Sequence, residues 1–447
     1  MCSILVTNKN LSNFEEVNKF LKLRGPDLTN KMTINGVNFV HNLLHMTGDM
    51  KPQPFVHDDI VCLFNGEIYN YKSFGNFSTD GECLIPLYLE HGTDFAKILD
   101  GEFCICLIDF KKDIIFITSD TFSTKPIWYC FEDNQFGVAS YESALKQLGF
   151  SNTVKLKANT TIIRKLSSLM NNQWNQTLYD FDLNQHKKSY DAWTLAFKDS
   201  IKKRYSGSNQ KSFIGLSSGY DSGAICCELI NQKVDFHAYS LIGKENENVL
   251  HARHQLINNG ISKAFLFRAT NDDYHTCQYH LYNNVEDFKY KISSSSSNYN
   301  EHSLSVRNDG GSNGLAFISS KAKTNDRKIY ISGQGADEIL SDYGFQGRKI
   351  YPHSNFGGLF PNDLSSIFPW NSFYESSQLS YLMKEEYISG SFGLEGRYPF
   401  LDRQLVQEFL LLDVKLKNIN YKAPIYNYLM ENKFPFSKEE KIGFNLI

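Results

Sequence analysis

No apolar run in this sequence approaches the roughly 18 residues that a membrane-spanning helix needs, so no membrane partner is expected. The opening residues, MCSILVTNKN, have a short apolar stretch with no basic segment before it and are not read as a secretory signal. Nine cysteines are present, an odd number, and none forms a Cys-x-x-Cys pair; the closest are Cys104 with Cys106 and Cys226 with Cys227. That spacing supports neither a disulfide framework nor a structural zinc site. Charge of either sign is not in surplus: 46 Lys and Arg stand against 49 Asp and Glu, a net −3. Such a balance argues against a polyanion-coating surface, and nucleic acid is not an expected partner. The expectation is a cytoplasmic protein of a reducing compartment.

What is present is ordinary globular material. Hydrophobic residues make up 41% and charged residues 21%, and 34 Phe with 25 Tyr can fill sizeable cores. The length of 447 residues suggests two or three domains at roughly 150 residues each. Residues 1–165 read as a strand-rich unit. Strands are expected at Ile4–Thr7, Val37–His45, Ile60–Asn65, Phe103–Asp109 and Ile114–Ser119. A Ser12/Glu15 capping box precedes a helix with Phe14, Val17, Phe20 and Leu21 on one face, and a second helix over Glu82–His91 stops at Gly92. Residues 166–187, polar and weakly periodic, read as a linker. From 188 to 447 the grammar is α/β: a helix over 190–205, a buried strand Ser212–Leu216, a small-residue turn, a helix from Ser222 and a strand Phe236–Leu241. That order predicts a mostly parallel sheet. Residues 293–314 read as a long loop.

Cys2 is the first residue with chemistry attached. Once an initiator Met is removed, its thiol and α-amino group lie on adjacent carbons, with ordinary pKa values of about 8.5 and about 7.7–8.0. One can then serve as base for the other near neutrality. After Arg24-Gly25-Pro26-Asp27 comes Asn65-Gly66-Glu67-Ile68-Tyr69-Asn70. Asn-Gly following a strand is first of all a tight turn. A carboxamide beside a glycine N–H is also a natural donor pair for the oxyanion of a tetrahedral intermediate. Thr79-Asp80-Gly81-Glu82 offers carboxylates ahead of a helix, either as a cap or as a seat for a substrate ammonium.

Two further loops each follow an apolar strand. Leu216-Ser217-Ser218-Gly219-Tyr220-Asp221-Ser222 opens a helix; small residues there let backbone N–H groups approach a polyphosphate. No Gly-Lys-Ser/Thr follows, so it is not a Walker loop. The second, Ser332-Gly333-Gln334-Gly335-Ala336-Asp337-Glu338, follows Lys328–Ile331. Two strand ends that each carry a glycine loop and an aspartate would set Asp221 and Asp337 around one Mg²⁺–pyrophosphate.

Taken in order, Cys2, RGPD, NGEIYN and the acidic segment resemble the glutaminase domain of class II glutamine amidotransferases. The two loops, the Gly393-Leu394-Glu395-Gly396-Arg397-Tyr398-Pro399-Phe400-Leu401-Asp402 segment and a following Lys422 resemble the asparagine synthetases. The resemblance implies an N-terminal-nucleophile αββα sandwich followed by a PP-loop α/β domain. It implies Cys2 as nucleophile, Asn65 and Gly66 as oxyanion hole, and Glu67 and Asp80 as glutamine contacts. Asn42 falls where the family has an arginine that grips the glutamine carboxylate, so weak glutamine binding is expected. On the ligase side it implies Ser217, Ser218, Gly219, Asp221, Ser222, Ser332, Gly333 and Gln334 around ATP and pyrophosphate, with Leu216 and Leu241 lining the adenine pocket. Mg²⁺ would rest on Asp221 and Asp337, and Lys422 would face the reacting groups. Ser218 replaces a usual Gly, and Gln334 replaces a common Glu. The expected substrates are glutamine, ATP and a carboxylic acid, aspartate first. A sugar acid, a peptide or another small carboxylate is the runner-up, because 286–327 does not look like the usual acceptor-side sequence. A homodimer is left open, and a non-catalytic relative and a tRNA sulfur-transfer enzyme are the readings from other classes.

Overall fold

The computed structural model describes residues 2–169, 173–243, 245–293 and 301–437. The chain divides into two compact units. The first comprises Met1–Asp180 with the short stretches Gly207–Asn209 and Gly390–Gly393. Two six-stranded antiparallel sheets make up most of it. One runs Val154–Lys155, Trp128–Glu132, Gln135–Ala139, Ser3–Thr7, Val37–Leu43, Leu28–Ile34. The other runs Gln173–Thr177, Thr160–Lys165, Ile114–Ser119, Gly101–Asp109, Ile60–Ile68, Phe55–His57.

Strand alternation decides which side chains fill the space between the sheets. Ile4, Val6, Val37 and Phe39 of the first sheet share one core with Val61, Leu63, Cys104, Cys106, Ile115 and Ile117 of the second. On the other face of the second sheet, Cys62, Phe64, Phe103, Ile105 and Leu107 pack on the helix Leu84–His91. Ser3, of opposite parity to Ile4, donates to the Leu21 carbonyl of the helix Lys19–Arg24 at 2.7 Å, so that helix covers the first sheet's outer side. The expected single N-terminal helix is two short ones, Phe14–Val17 and Lys19–Arg24, parted at Asn18, whose buried amide turns to Asn42. Asn13, not Ser12, stands at the N-cap, and the Ser12/Glu15 box does not form. The stretch read as a linker contributes Gln173–Thr177 to the second sheet, pairing along Thr160–Lys165 through backbone bonds that its polar side chains do not oppose.

The second unit is built on a five-stranded sheet in the order Lys263–Phe267, Phe236–Leu241, Ser212–Gly215, Ile329–Ile331, Glu395–Arg397. Every neighbouring pair is parallel. Phe236–Leu241 is buried along its whole length, as a strand covered on both faces must be. The helices Asp191–Tyr205 and Tyr220–Asn231 fall close to expectation. The loop expected over 293–314 is not what forms. Residues 294–300 lie outside the described residues, but Glu301–Ser305 pairs with Lys289–Ser293, and a helix runs from Gly310 to Thr324. Its two leading glycines are tolerated because Asp309 caps it, accepting from Gly311 N–H at 3.0 Å, and Leu315, Ala316, Phe317 and Ile318 are buried. The segment ending Pro399-Phe400-Leu401-Asp402 begins as the edge strand Glu395–Arg397, whose Glu395 and Arg397 form a buried ion pair at 2.7 Å. Asp402 caps the next helix and holds Arg204 at 3.0 Å, a structural role.

Candidate functional site

In the first unit, the strand beginning at Ser3 sends Ile4 and Val6 inward, and Cys2 shares their parity. The Cys2 thiol is buried and lies 3.8 Å from the Leu44 carbonyl. Its own carbonyl accepts from Arg24 Nε at 2.9 Å, so Arg24 fixes the start of the chain. Asn65 has the parity of Val61 and Leu63 and so points into the same interlayer space. It is fully buried, and its Nδ2 and Oδ1 have no nitrogen or oxygen partner, only the Cys104 thiol beside them. Across the ladder stands Cys104, whose thiol burial pushes up to about 12 although the Arg24 charge pulls it down. Arg24 is thus near both Cys2 and the partner of Asn65.

Asn65-Gly66 is not a turn. The strand runs unbroken from Ile60 to Ile68. Gly66 has φ +136, and a Cβ there would come within 1.9 Å of the Glu102 carbonyl, so only glycine fits. Glu67 accepts from Thr47 Oγ1 at 2.6 Å, and Thr79 donates to the Thr47 carbonyl at 3.1 Å. Asp80 accepts from Ile68 N–H at 2.9 Å and Gly81 N–H at 3.0 Å. The helix-capping role falls to Thr79 and Glu82. Contacts therefore run from Cys2 through the 44–48 segment to Glu67, Thr79 and Asp80. Asn42 does not join them as a ligand group. It donates to Ser3 Oγ at 3.1 Å and Asn18 Oδ1 at 2.8 Å, and accepts from Asn18 at 3.2 Å and Thr29 at 2.8 Å. Both amide protons and both lone pairs are spent on neighbours. Sequence reasoning missed Glu102, which faces Glu67 across the strands and is held by Lys125 at 3.4 Å, both buried.

In the second unit, parallel strands place the Ser217–Asp221 and Ser332–Asp337 loops at one sheet edge, where crevices of such sheets lie. The loops touch: a Cβ on Gly333 would lie 3.0 Å from Asp221 Cβ. Lys422 Nζ bridges the aspartates, at 2.7 Å from both Asp221 oxygens and 2.6 Å from Asp337 Oδ1. Tyr421 donates to the same Asp337 oxygen at 2.9 Å. Burial alone would lower the Lys422 pKa; Asp221 and its neighbours outweigh that and hold it above its ordinary value. Lys422 sits in the left-handed region, φ +46, which turns its side chain to the aspartates ahead of the helix Ala423–Glu431.

Ser217 is tied to Ser222 at 2.8 Å. Ser218 donates both its N–H, at 2.7 Å, and its hydroxyl to Glu245 Oε2. Below the loop, the buried Arg253 guanidinium donates to the Ser217 and Gly219 carbonyls. Burial lowers it to about 10, still cationic at neutral pH. Gly223 leaves it room, since a Cβ there would come within 2.3 Å. Leu216 and Leu241 are buried at the ends of adjoining strands. Neither Glu245 nor Arg253 was foreseen. Glu245 had one signal, its place just beyond the C-terminal end of a parallel strand; Arg253 had none.

A cavity of about 360 Å³ opens beside these loops. Ser217, Gln334, Asp337, Asp309, Tyr381, Lys384 and Glu385 are among the residues that line it. Among the described residues no three His, Cys, Asp or Glu side chains group as metal ligands, and no helix is long and apolar enough to cross a membrane.

Residues 1–184 match the glutamine amidotransferase domain family. A Methanocaldococcus jannaschii protein provisionally named asparagine synthetase (glutamine-hydrolyzing) 1 is 25% identical over 426 residues, 88% of this chain and 72% of its own. Asparagine synthetase (glutamine-hydrolyzing) of Brassica oleracea is 23% identical over 434 residues, 90% of this chain and 68% of its own. Asparagine synthetase (glutamine-hydrolyzing) 1 of Saccharomyces cerevisiae is 23% identical over 468 residues, 95% of this chain and 77% of its own. That similarity runs over most of the chain, and it is to the glutamine-hydrolyzing asparagine synthetases, glutamine-dependent carbon–nitrogen ligases, that this protein is related.

Proposed function

We propose that this chain transfers the amide nitrogen of glutamine to a carboxylic acid that it first activates with ATP. In this reading residues 1–165 are the glutaminase, an N-terminal-nucleophile sandwich, and residues 188–447 the ATP-dependent ligase. The Cys2 thiol attacks the glutamine side-chain amide carbon, giving a thioester and free ammonia, and water releases glutamate. The Asn65 amide and the Gly66 N–H receive the oxyanion. Glu67 and Asp80 help orient the substrate. Asn42, with no hydrogen-bonding capacity left, contributes nothing to the substrate carboxylate.

In the ligase the acceptor carboxylate attacks the α-phosphorus of ATP, forming an acyl-adenylate and releasing pyrophosphate. Ammonia then attacks the acyl carbon, yielding the amide and AMP. Ser217, Ser218, Gly219 and Ser222, with Ser332, Gly333 and Gln334, would hold the phosphates, and Leu216 and Leu241 the adenine. Mg²⁺ commonly uses one or two carboxylates and completes its shell with phosphate oxygens and water. The converging Asp221 and Asp337 fit that need, and the ion would neutralise charge on the departing pyrophosphate. Lys422 carries a positive charge toward the reacting groups.

The observation that carries this reading is the meeting of Asp221, Asp337 and Lys422, from three distant parts of the sequence, at the edge where both glycine loops emerge. The test is product analysis: AMP and pyrophosphate are expected, and Asp221→Ala stops their release while glutamine hydrolysis continues. ADP and phosphate as products, or unchanged pyrophosphate release, refute it. Aspartate, the acid whose amide is the asparagine in the relatives' names, is the first acceptor to try. A different carboxylic acid is the second reading, favoured by the wall of the cavity.

A further inference from the structure

Beyond the two glycine loops, the cavity wall is made of residues with no part in the chemistry above. Asp309 is fully engaged. It caps the helix Gly310–Thr324, accepts from Tyr290 OH at 2.5 Å and pairs with Lys384 Nζ at 2.9 Å. Lys384 is engaged as well. Besides Asp309, its ammonium lies 4.6 Å from the Tyr381 ring centre, a cation–π contact. Glu385, the next residue, differs. Its Oε2 is buried and has no hydrogen-bond partner. A carboxylate oxygen left so is costly unless something that enters the cavity satisfies it.

The balance of charge is therefore lopsided. Among the described residues lining the cavity, the basic side chains are Lys384, already paired, and His353, whose imidazole burial holds below its ordinary pKa. Lys384 already answers Asp309, and burial pushes the Glu385 carboxyl up to about 7 although Ser332 and Lys384 pull it down, so a cation at its open Oε2 is what would hold it charged. Aspartate brings two carboxylates. With one activated, the second would have to pull Lys384 from Asp309, stranding a buried carboxylate to bind another. An acceptor with a single carboxylate and an ammonium makes no such demand. There is room for more than aspartate: at about 360 Å³ the cavity exceeds twice the ~150 Å³ that admits benzene. Tyr330, Tyr351 and Tyr381 add apolar surface to its lining.

We infer that the acceptor is an ammonium-bearing acid with one carboxylate and a bulky, partly apolar body, a neutral α-amino acid or close analogue, whose ammonium pairs with Glu385. This rests on the ligase reading above and narrows its substrate. The carboxylate is activated beside Asp337 while the ammonium sits on Glu385, which fixes which acid is amidated.

The test is ATP–pyrophosphate exchange by the full chain with Mg²⁺ and one acid at a time: aspartate, leucine, phenylalanine, tyrosine, and 3-phenylpropionate as the acid lacking the amine. Leucine, phenylalanine or tyrosine should support exchange at least 10-fold better than aspartate, and 3-phenylpropionate should fail. Glu385→Gln should raise the acceptor KM at least 10-fold with the ATP KM changed less than 2-fold, a split that a merely structural residue would not give; Glu385→Asp should recover part of it. Aspartate as the best acid, 3-phenylpropionate as good as phenylalanine, or an unmoved acceptor KM in Glu385→Gln overturns the inference and leaves the ligase reading standing. Exchange with none of the acids overturns both.

Discussion

The two sites keep their polar groups in opposite ways. In the first unit the Asn65 carboxamide stands buried with no nitrogen or oxygen partner, only the weakly bonding Cys104 thiol. In the second every charged loop group already has a partner: Asp221 and Asp337 share Lys422, and Ser218 gives both its donors to Glu245. The difference follows from what each site would meet. An oxyanion exists only in passing, so its donors act best when fixed and unoccupied, and an unbonded neutral amide costs about 1–3 kcal/mol. A triphosphate and its cation come and go as full charges, and leaving bare carboxylates between visits would cost far more. The ligase loops keep internal counter-ions; the thiol site tolerates a vacancy.

The largest effect that tests this contrast is at Cys2. Cys2→Ala should abolish glutamine-dependent amidation and spare activity with added ammonia, measured as AMP release under each nitrogen source. Loss of both would end the division of labour between the units. Asn65→Leu comes next. Removing the oxyanion donor should lower glutaminase kcat by about 10²–10³-fold. Removing an unsatisfied buried amide should at the same time leave the melting temperature unchanged or higher, opposite to the usual cost of a core substitution. A destabilised Asn65→Leu with normal kcat would mean that the amide is structural.

Lys422→Met probes the other side. It strips the shared cation from two aspartates and should cost about 3 kcal/mol, the scale of breaking a buried ion pair. Because Lys422 sits where the proposed Mg²⁺ charge would act, added Mg²⁺ should raise the melting temperature of Lys422→Met more than that of the parent. Equal shifts would mean that Asp221 and Asp337 do not take the ion. The direction of the Lys422 pKa has a consequence too. A lysine held above its ordinary 10.5 stabilises the fold fully below that pH and loses the contribution only above it. Stability near neutrality should thus be insensitive to Lys422 titration.

Much of this layout is legible in the sequence, and for local reasons. Ser217–Ser222 and Ser332–Glu338 declare themselves because an apolar strand, a run of small residues and a helix start are neighbours in sequence. Cys2 and Asn65 are single residues whose chemistry is unusual at their positions. What stayed hidden depends on segments far apart in the chain. Nothing near Asn42 tells that Asn18, Ser3 and Thr29 absorb its amide. Nothing near Lys384 foretells Asp309. Asn65-Gly66 was expected to turn because the dipeptide usually does, and pairing with Gly101–Asp109 kept it extended. Gly310-Gly311 hid a helix because glycine's poor propensity is overridden by a cap and by burial of the helix that follows.

The smallest effect is the sharpest test of the filled cradle. Glu245 Oε2 takes the N–H and hydroxyl of Ser218, two donors that would otherwise face phosphate, while its Oε1 is buried and unbonded. On the proposed reading, a carboxylate so placed would compete with the nucleotide for the loop. Glu245→Gln keeps the size and removes the charge, so the competitor weakens while the loop keeps its shape. The ATP KM should fall threefold to tenfold, about 0.6–1.4 kcal/mol of lost competition. The glutaminase, in the other unit, should not respond. If instead the ATP KM rises, Glu245 helps bind the nucleotide, and the ligase loops would resemble the thiol site in waiting with groups that only the substrate completes.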